Sequence, residues 1–81
     1  MDKELNSVIS YLNELLNDNS VPRNVKAKID VIVKSFRENV DMSLKINKAL
    51  SDLEEISDDN NIQTYTRTQI WNAVSMLEAL N

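Results

Sequence analysis

Residues 5–36 of this chain lie over residues 46–77 at one constant offset of 41, without a gap. Asn6, Ser10, Leu12, Glu14, Asp18, Asn19, Ile29 and Val33 meet identical residues at Asn47, Ser51, Leu53, Glu55, Asp59, Asn60, Ile70 and Val74. The exchanges between them keep their chemistry, as in Leu5/Ile46, Ile9/Leu50, Leu15/Ile56, Asn17/Asp58, Val21/Ile62 and Lys26/Arg67. A period near 40 residues suits a pair of helices, so each half reads as the same helical hairpin. Two units fall short of the three or more that an open solenoid needs to bury its faces. The expected fold is therefore all-α: a four-helix up-down bundle whose two hairpins, about 3–37 and 42–80, close on each other about a pseudo-twofold axis within one domain, 1–81. A short two-unit stack is the other arrangement the repeat allows.

The helical signal supports this within each unit. Leu5, Val8, Ile9, Leu12, Leu15 and Leu16 recur at spacings of three and four, which places them on one broad face of a helix from about Lys3 to Asn17. The run Asn17-Asp18-Asn19 ends it, because short polar side chains compete for backbone hydrogen bonds. Ser20-Val21-Pro22 opens the second helix, with the proline expected in the first turn and Ser20 or Val21 at the cap. Its stripe is Val25, Ile29, Ile32, Val33 and Phe36. After a hinge at 38–41, Asp41 is placed to cap a third helix with the stripe Ile46, Ala49, Leu50, Leu53 and Ile56. The turn Ser57-Asp58-Asp59-Asn60-Asn61 repeats the first, and a fourth helix from about Gln63 to Leu80 carries Ile62, Thr66, Ile70, Ala73, Leu77 and Leu80.

Composition removes most catalytic chemistry. The chain has no Cys, no His and no Gly. Thiolate nucleophiles, disulfides, Cys- or His-based metal sites and the Ser-His-Asp arrangement are thereby excluded. Phosphate-cradling loops need glycine for close backbone approach, so they are excluded as well. No cofactor, metal or small-molecule substrate is expected. The polar start Met1-Asp2-Lys3-Glu4 and the lack of any run of 18 apolar residues give neither a secretory signal nor a membrane span, and the expected location is the cytoplasm.

The segments Leu12-Asn13-Glu14-Leu15-Leu16-Asn17-Asp18, Ser20-Val21-Pro22-Arg23-Asn24-Val25 and Arg67-Thr68-Gln69-Ile70-Trp71-Asn72, with Val74-Ser75 and Leu77-Glu78, resemble Uncharacterised Protein Family zero-one-four-seven. That is a group of small archaeal proteins, and the similarity runs over most of the chain. The resemblance implies a compact four-helix fold in an archaeal cytoplasm and brings no assigned activity. One departure bears on the stiffness of the second turn: the family usually has a proline after the apolar residue there, whereas Gln63 follows Ile62 here.

Trp71 is the sharpest candidate for a functional residue. At 100° per residue it points about 160° from Ala73, the centre of the fourth helix's stripe. Arg67, Val74, Ser75 and Glu78 fall beside it on that back face. Trp with Arg is a common anchor composition at interfaces. Alternatively, the indole folds over a bundle edge with its N–H at the rim. Leu44 and Val31 also lie off their stripes; scattered surface apolar residues are ordinary, but with Trp71 they favour self-association or a protein partner.

Charge gives a second reading. Residues 21–38 hold five cations against two acids, a local +3, while the remaining chain carries −7 of the net −4. Arg23, Lys26, Lys34 and Arg37 recur at near-helical spacing and could follow a nucleic-acid backbone. Asp30 interrupts them and no aromatic residue is interleaved for base stacking, so a solvated face is the plainer explanation. The acids Asp52, Glu54, Glu55, Asp58 and Asp59 lack a glycine-turned loop for a hard cation and read as an acidic helix end. The hydroxyls Thr64, Tyr65, Thr66 and Thr68 have no base beside them and read as capping and packing groups. The leading expectation is a non-enzymatic protein-interaction or self-associating module, with a nucleic-acid accessory role for the second helix as the alternative.

Overall fold

The computed structural model describes residues 2–59 and 61–80. Asn60, the repeat partner of Asn19, lies outside the described residues, as do Met1 and Asn81. Four helices follow one another, α1 (Asp2–Leu16), α2 (Arg23–Ser35), α3 (Met42–Ser57) and α4 (Thr64–Glu78), and no strand occurs among the described residues. Each helix packs on two others: α1 on α2 and α4, and α3 on α2 and α4. The backbones of diagonal helices stay more than 8 Å apart among the described residues, so the section is a four-cornered bundle measuring 32 × 19 × 18 Å.

One hydrophobic cluster draws on all four helices and both hairpin turns. Its burial repeats at the offset of 41, with Leu12/Leu53, Ile29/Ile70, Val33/Val74, Leu15/Ile56 and Val21/Ile62 buried in both halves. Ile9 and Leu50 are half-buried at matching positions and pack on the cluster's edge, where Leu16, Met42, Met76 and Leu80 also lie. A side chain at such a flank covers the core with one side and meets water with the other, which the simple stripe does not distinguish.

The backbone hydrogen bonds of the two turns repeat. The Asp18 carboxylate accepts from the Ser20 amide at 2.9 Å, and Asp59 accepts from the Asn61 amide at 2.8 Å. The Val21 amide then donates to the Asp18 carbonyl at 3.2 Å, and Ile62 to that of Asp59 at 3.5 Å. Pro22 sits one place earlier than expected, as the N-cap itself, with its carbonyl accepting from Lys26 N at 3.0 Å. Gln63 fills the same place for α4, accepting from Arg67 N at 3.0 Å, so the turn forms there without a proline. Asp41 caps α3 as expected, accepting from the Ser43 amide at 2.8 Å.

Two buried polar residues break the match, Ser57 where the first half has Leu16, and Thr66. Thr66 stands where the first half has Val25; both are fully buried, and the Thr66 hydroxyl has no hydrogen-bond partner among the described residues.

Candidate protein-docking face

The bundle has two outer grooves that the repeat relates, one between α1 and α4 and one between α2 and α3. In the first, the Tyr11 hydroxyl donates to Gln69 Oε1 and accepts from Asn72 Nδ2 at 3.3 Å. Tyr11, Gln69 and Met76 are half-buried there, so a hydrogen-bonded side-chain layer covers the seam. In the second groove the corresponding positions are Asp52, Lys28, Val31 and Ser35, and among the described residues these four are not hydrogen-bonded to one another across the groove.

The α2/α3 groove instead displays apolar side chains. Val31 is 58% exposed and Leu44 61%, and with Val40 at 48% they line one shallow cavity of about 210 Å³. Their counterparts are polar: the offset pairs Val31 with Asn72 and Leu44 with Lys3, both exposed. Lys45 and Lys48 flank the apolar patch at one end, Asp52 and Glu55 at the other. Lys45 Nζ also donates to the Phe36 carbonyl at 3.1 Å, where a cation is favoured at the C-terminus of α2. Lys48, which is exposed, lies 3.6 Å from the half-buried Asp52, a pair within one helix at the surface that adds little to stability.

The structure thus brings Val31 and Leu44 together and adds Val40, a hinge residue that helical phasing could not flag. Trp71 is on α4, 57% exposed, and is not among the residues lining that cavity. Its expected neighbours divide. Ser75 and Glu78 are exposed. Val74 is corrected: at 8% exposure it belongs to the core, because α4 packs against α3 as well as α1 and so buries a wider arc than the stripe alone suggests. Arg67 is half-buried and engaged; its Nε donates to the Ser57 carbonyl at 2.9 Å and its Nη2 to that of Asp59 at 3.0 Å, satisfying the end of α3.

On α2, Arg23 and Arg37 are exposed, Lys26 is half-buried, and Lys34 pairs with Asp30 at 2.9 Å. Lys26 helps its neighbour electrostatically: the Asp18 carboxyl is held below its ordinary range, first by the Ser20 side-chain and backbone hydrogen bonds and then by the Lys26 charge. A broad concavity of about 650 Å³ along α1 is lined by Lys3, Asn6, Ser10, Tyr11, Glu14 and Met76. Among the described residues no group of three or more acids is close enough to hold a metal ion. Nor is any helix long and apolar enough to cross a membrane.

A family model described as "Uncharacterised protein family (UPF0147)" matches residues 1–80. The chain belongs to this family. Curated UPF0147 relatives come from archaea. The UPF0147 protein of Sulfurisphaera tokodaii is 39% identical over 80 residues, covering 98% of this chain and 90% of the relative. That of Archaeoglobus fulgidus is 37% identical over 79 residues, covering 98% and 91%. Two solved structures share the fold. A UPF0147 crystal structure from Thermoplasma acidophilum is similar with a TM-score of 0.93 at 32% identity, covering 99% of this chain and 95% of that one. The crystal structure of the unknown-function protein MMP1188 gives 0.88 at 34% identity, covering 96% and 90%. UPF0147 is a family of uncharacterised function, so chemistry must be argued from the residues themselves.

Proposed function

We propose that this UPF0147 protein is a non-enzymatic helical module that acts by docking protein on its α2/α3 face. The observation carrying this reading is the exposure of Val31 and Leu44 where the other half of the same repeat has Asn72 and Lys3. Both halves bury the same inner positions, so the outer apolar pair adds nothing that the fold requires. An exposed apolar patch rimmed by charge is the usual signature of a protein-binding surface. Catalysis finds no support: the concavity along α1 offers hydroxyls, one amide, one carboxylate and one ammonium, with no imidazole or thiol to serve as base or nucleophile.

A nucleic-acid role for α2 is less favoured, since Lys34 is already paired with Asp30 and Lys26 lies near Asp18. Salt separates the two readings, because polyanion binding weakens steeply as salt rises while apolar docking persists. The direct test is crosslinking through the amines of Lys28, Lys45 and Lys48 in native archaeal lysate, with the linked protein identified by mass spectrometry. Docking on this face gives reproducible links from these lysines that vanish in Val31→Asn/Leu44→Lys. Links that survive the double variant, or none at all, contradict it.

A further inference from the structure

We infer that the occupant of the α2/α3 face is a second copy of this chain, set antiparallel across a twofold axis near Val31; the inference rests on the docking reading above. Val31 lines both cavities of the groove, so it lies between their two ends. One end carries Lys45 and Lys48 with Glu38, the other Asp52 and Glu55 with Lys28. The excess is positive at the first end and negative at the second, and the two ends meet where Lys48 pairs with Asp52 along α3. An isologous contact needs a self-complementary patch. Reversal of one copy about Val31 lays the Lys45/Lys48 end of each on the Asp52/Glu55 end of the other. The same rotation stacks Val31 on its own symmetry mate and leaves Leu44 and Val40 facing the partner's end of the groove.

A partner of single sign, such as a nucleic acid or a uniformly acidic peptide, would match only one end. A stable interface takes about 800 Å² from each side. That is roughly a sixth of the 5148 Å² this molecule exposes. Self-association also answers the small size of the chain, because an 81-residue domain buries too little surface for a wide stability margin.

Sedimentation equilibrium of the wild type, from micromolar to millimolar, is the test. The expected result is a reversible rise from 9.3 kDa to twice that mass. Val31→Asn, which removes the one side chain that stacks on its own symmetry mate, should weaken dimerisation at least about 30-fold with helicity unchanged, the factor that corresponds to losing a central anchor. The substitution uses the residue found at the matching position of the other half, Asn72, so it suits an exposed helical site in this fold.

Charge reversal reads the orientation. Glu55→Lys and Lys48→Glu should each weaken the dimer when alone, because each brings like charges together twice. An equimolar mixture of the two should restore it, since the antiparallel heterodimer regains both unlike contacts. A wild type that stays at 9.3 kDa at millimolar concentration overturns the inference, and so does a mixture that fails to recover. A monomeric wild type whose lysines 28, 45 and 48 still crosslink to another identified protein defeats the homodimer and leaves the docking reading standing. A monomer with no such links defeats both.

Discussion

The α1/α4 and α2/α3 grooves occupy equivalent places in a repeated fold, yet their surfaces differ in kind. Inward, the two halves agree nearly residue for residue, down to the fully buried pairs Leu12/Leu53 and Ile29/Ile70. Outward, the Tyr11–Gln69–Asn72 hydrogen bonds bridge one groove, and the other presents Val31, Val40 and Leu44 to its surroundings. What both halves share is what the bundle needs in order to fold. What only one of the two grooves has, on an exposed face, needs another explanation, and an interface supplies one.

The strongest challenge to this comparison is to truncate its shared core. Ile29→Ala and Ile70→Ala should each cost about 2–5 kcal/mol, the range for deleting a buried aliphatic side chain. Because both residues are fully buried at matched positions, the two losses should lie within about 1 kcal/mol of each other, the unequal share being how far each site collapses. Denaturant titration reads both. A loss below about 0.5 kcal/mol at either site would belong to a surface position and would break the equivalence of the halves.

The next effect probes where the halves part company at their turns. Arg67 closes the end of α3 with two charge-assisted hydrogen bonds, so Arg67→Ala should cost about 1–3 kcal/mol. Lys26, at the matching position, should lose under about 0.5 kcal/mol on conversion to Ala, as exposed charge interactions usually do. Equal losses would show that the two turns are held in the same way.

Thr66 sharpens the comparison from inside the core. Its hydroxyl is buried without a partner where the first half has Val25, and an unmet buried polar group costs about 1–3 kcal/mol. Thr66→Val should therefore stabilise the protein by about 1–2 kcal/mol, and Val25→Thr should destabilise it by a similar amount. A neutral Thr66→Val would mean that the hydroxyl is satisfied in solution.

Much of this molecule is legible in its sequence, because amphipathic helices joined by polar turns need only local spacing to be recognised. The Asp18 and Asp59 turns, the Asp41 cap and the stripes of α1 to α4 all follow from residues within a few positions of one another. Meetings between helices are harder to read. Val31 and Leu44 each stand out as off-stripe, but their juxtaposition depends on how α2 lies against α3. Trp71 is similarly off-stripe and exposed, yet not part of that cavity.

Val74 shows a different limit. Placed by angle alone it falls on the back of α4, whereas its repeat partner Val33 is a stripe residue of α2 and both are buried. The offset of 41 was the better guide, because it encodes packing against two neighbours and not one. Arg67 gave no such signal: its role depends on the α3 carbonyls that α4 brings within reach.

A smaller effect concerns pH. Asp18 is held below its ordinary range by Ser20 and Lys26. A carboxyl depressed in the folded state contributes stability that is present in full above its unfolded value, about 3.9, and is lost as pH falls through the lower folded value. The stability difference between wild type and Asp18→Ala should therefore be constant near neutral pH and shrink below about pH 4. A difference that grows on acidification would mean that the Ser20 hydrogen bonds do not favour the charged form.

The central claim, that the apolar face of α2/α3 is surplus to folding, is tested most directly by denaturant titration of Val31→Asn/Leu44→Lys at a concentration low enough to keep wild type and variant monomeric. The account predicts a stability within about 0.5 kcal/mol of wild type, as for exposed substitutions away from structural features. A loss above about 1.5 kcal/mol would place these side chains among the contacts that hold the bundle together and would contradict it.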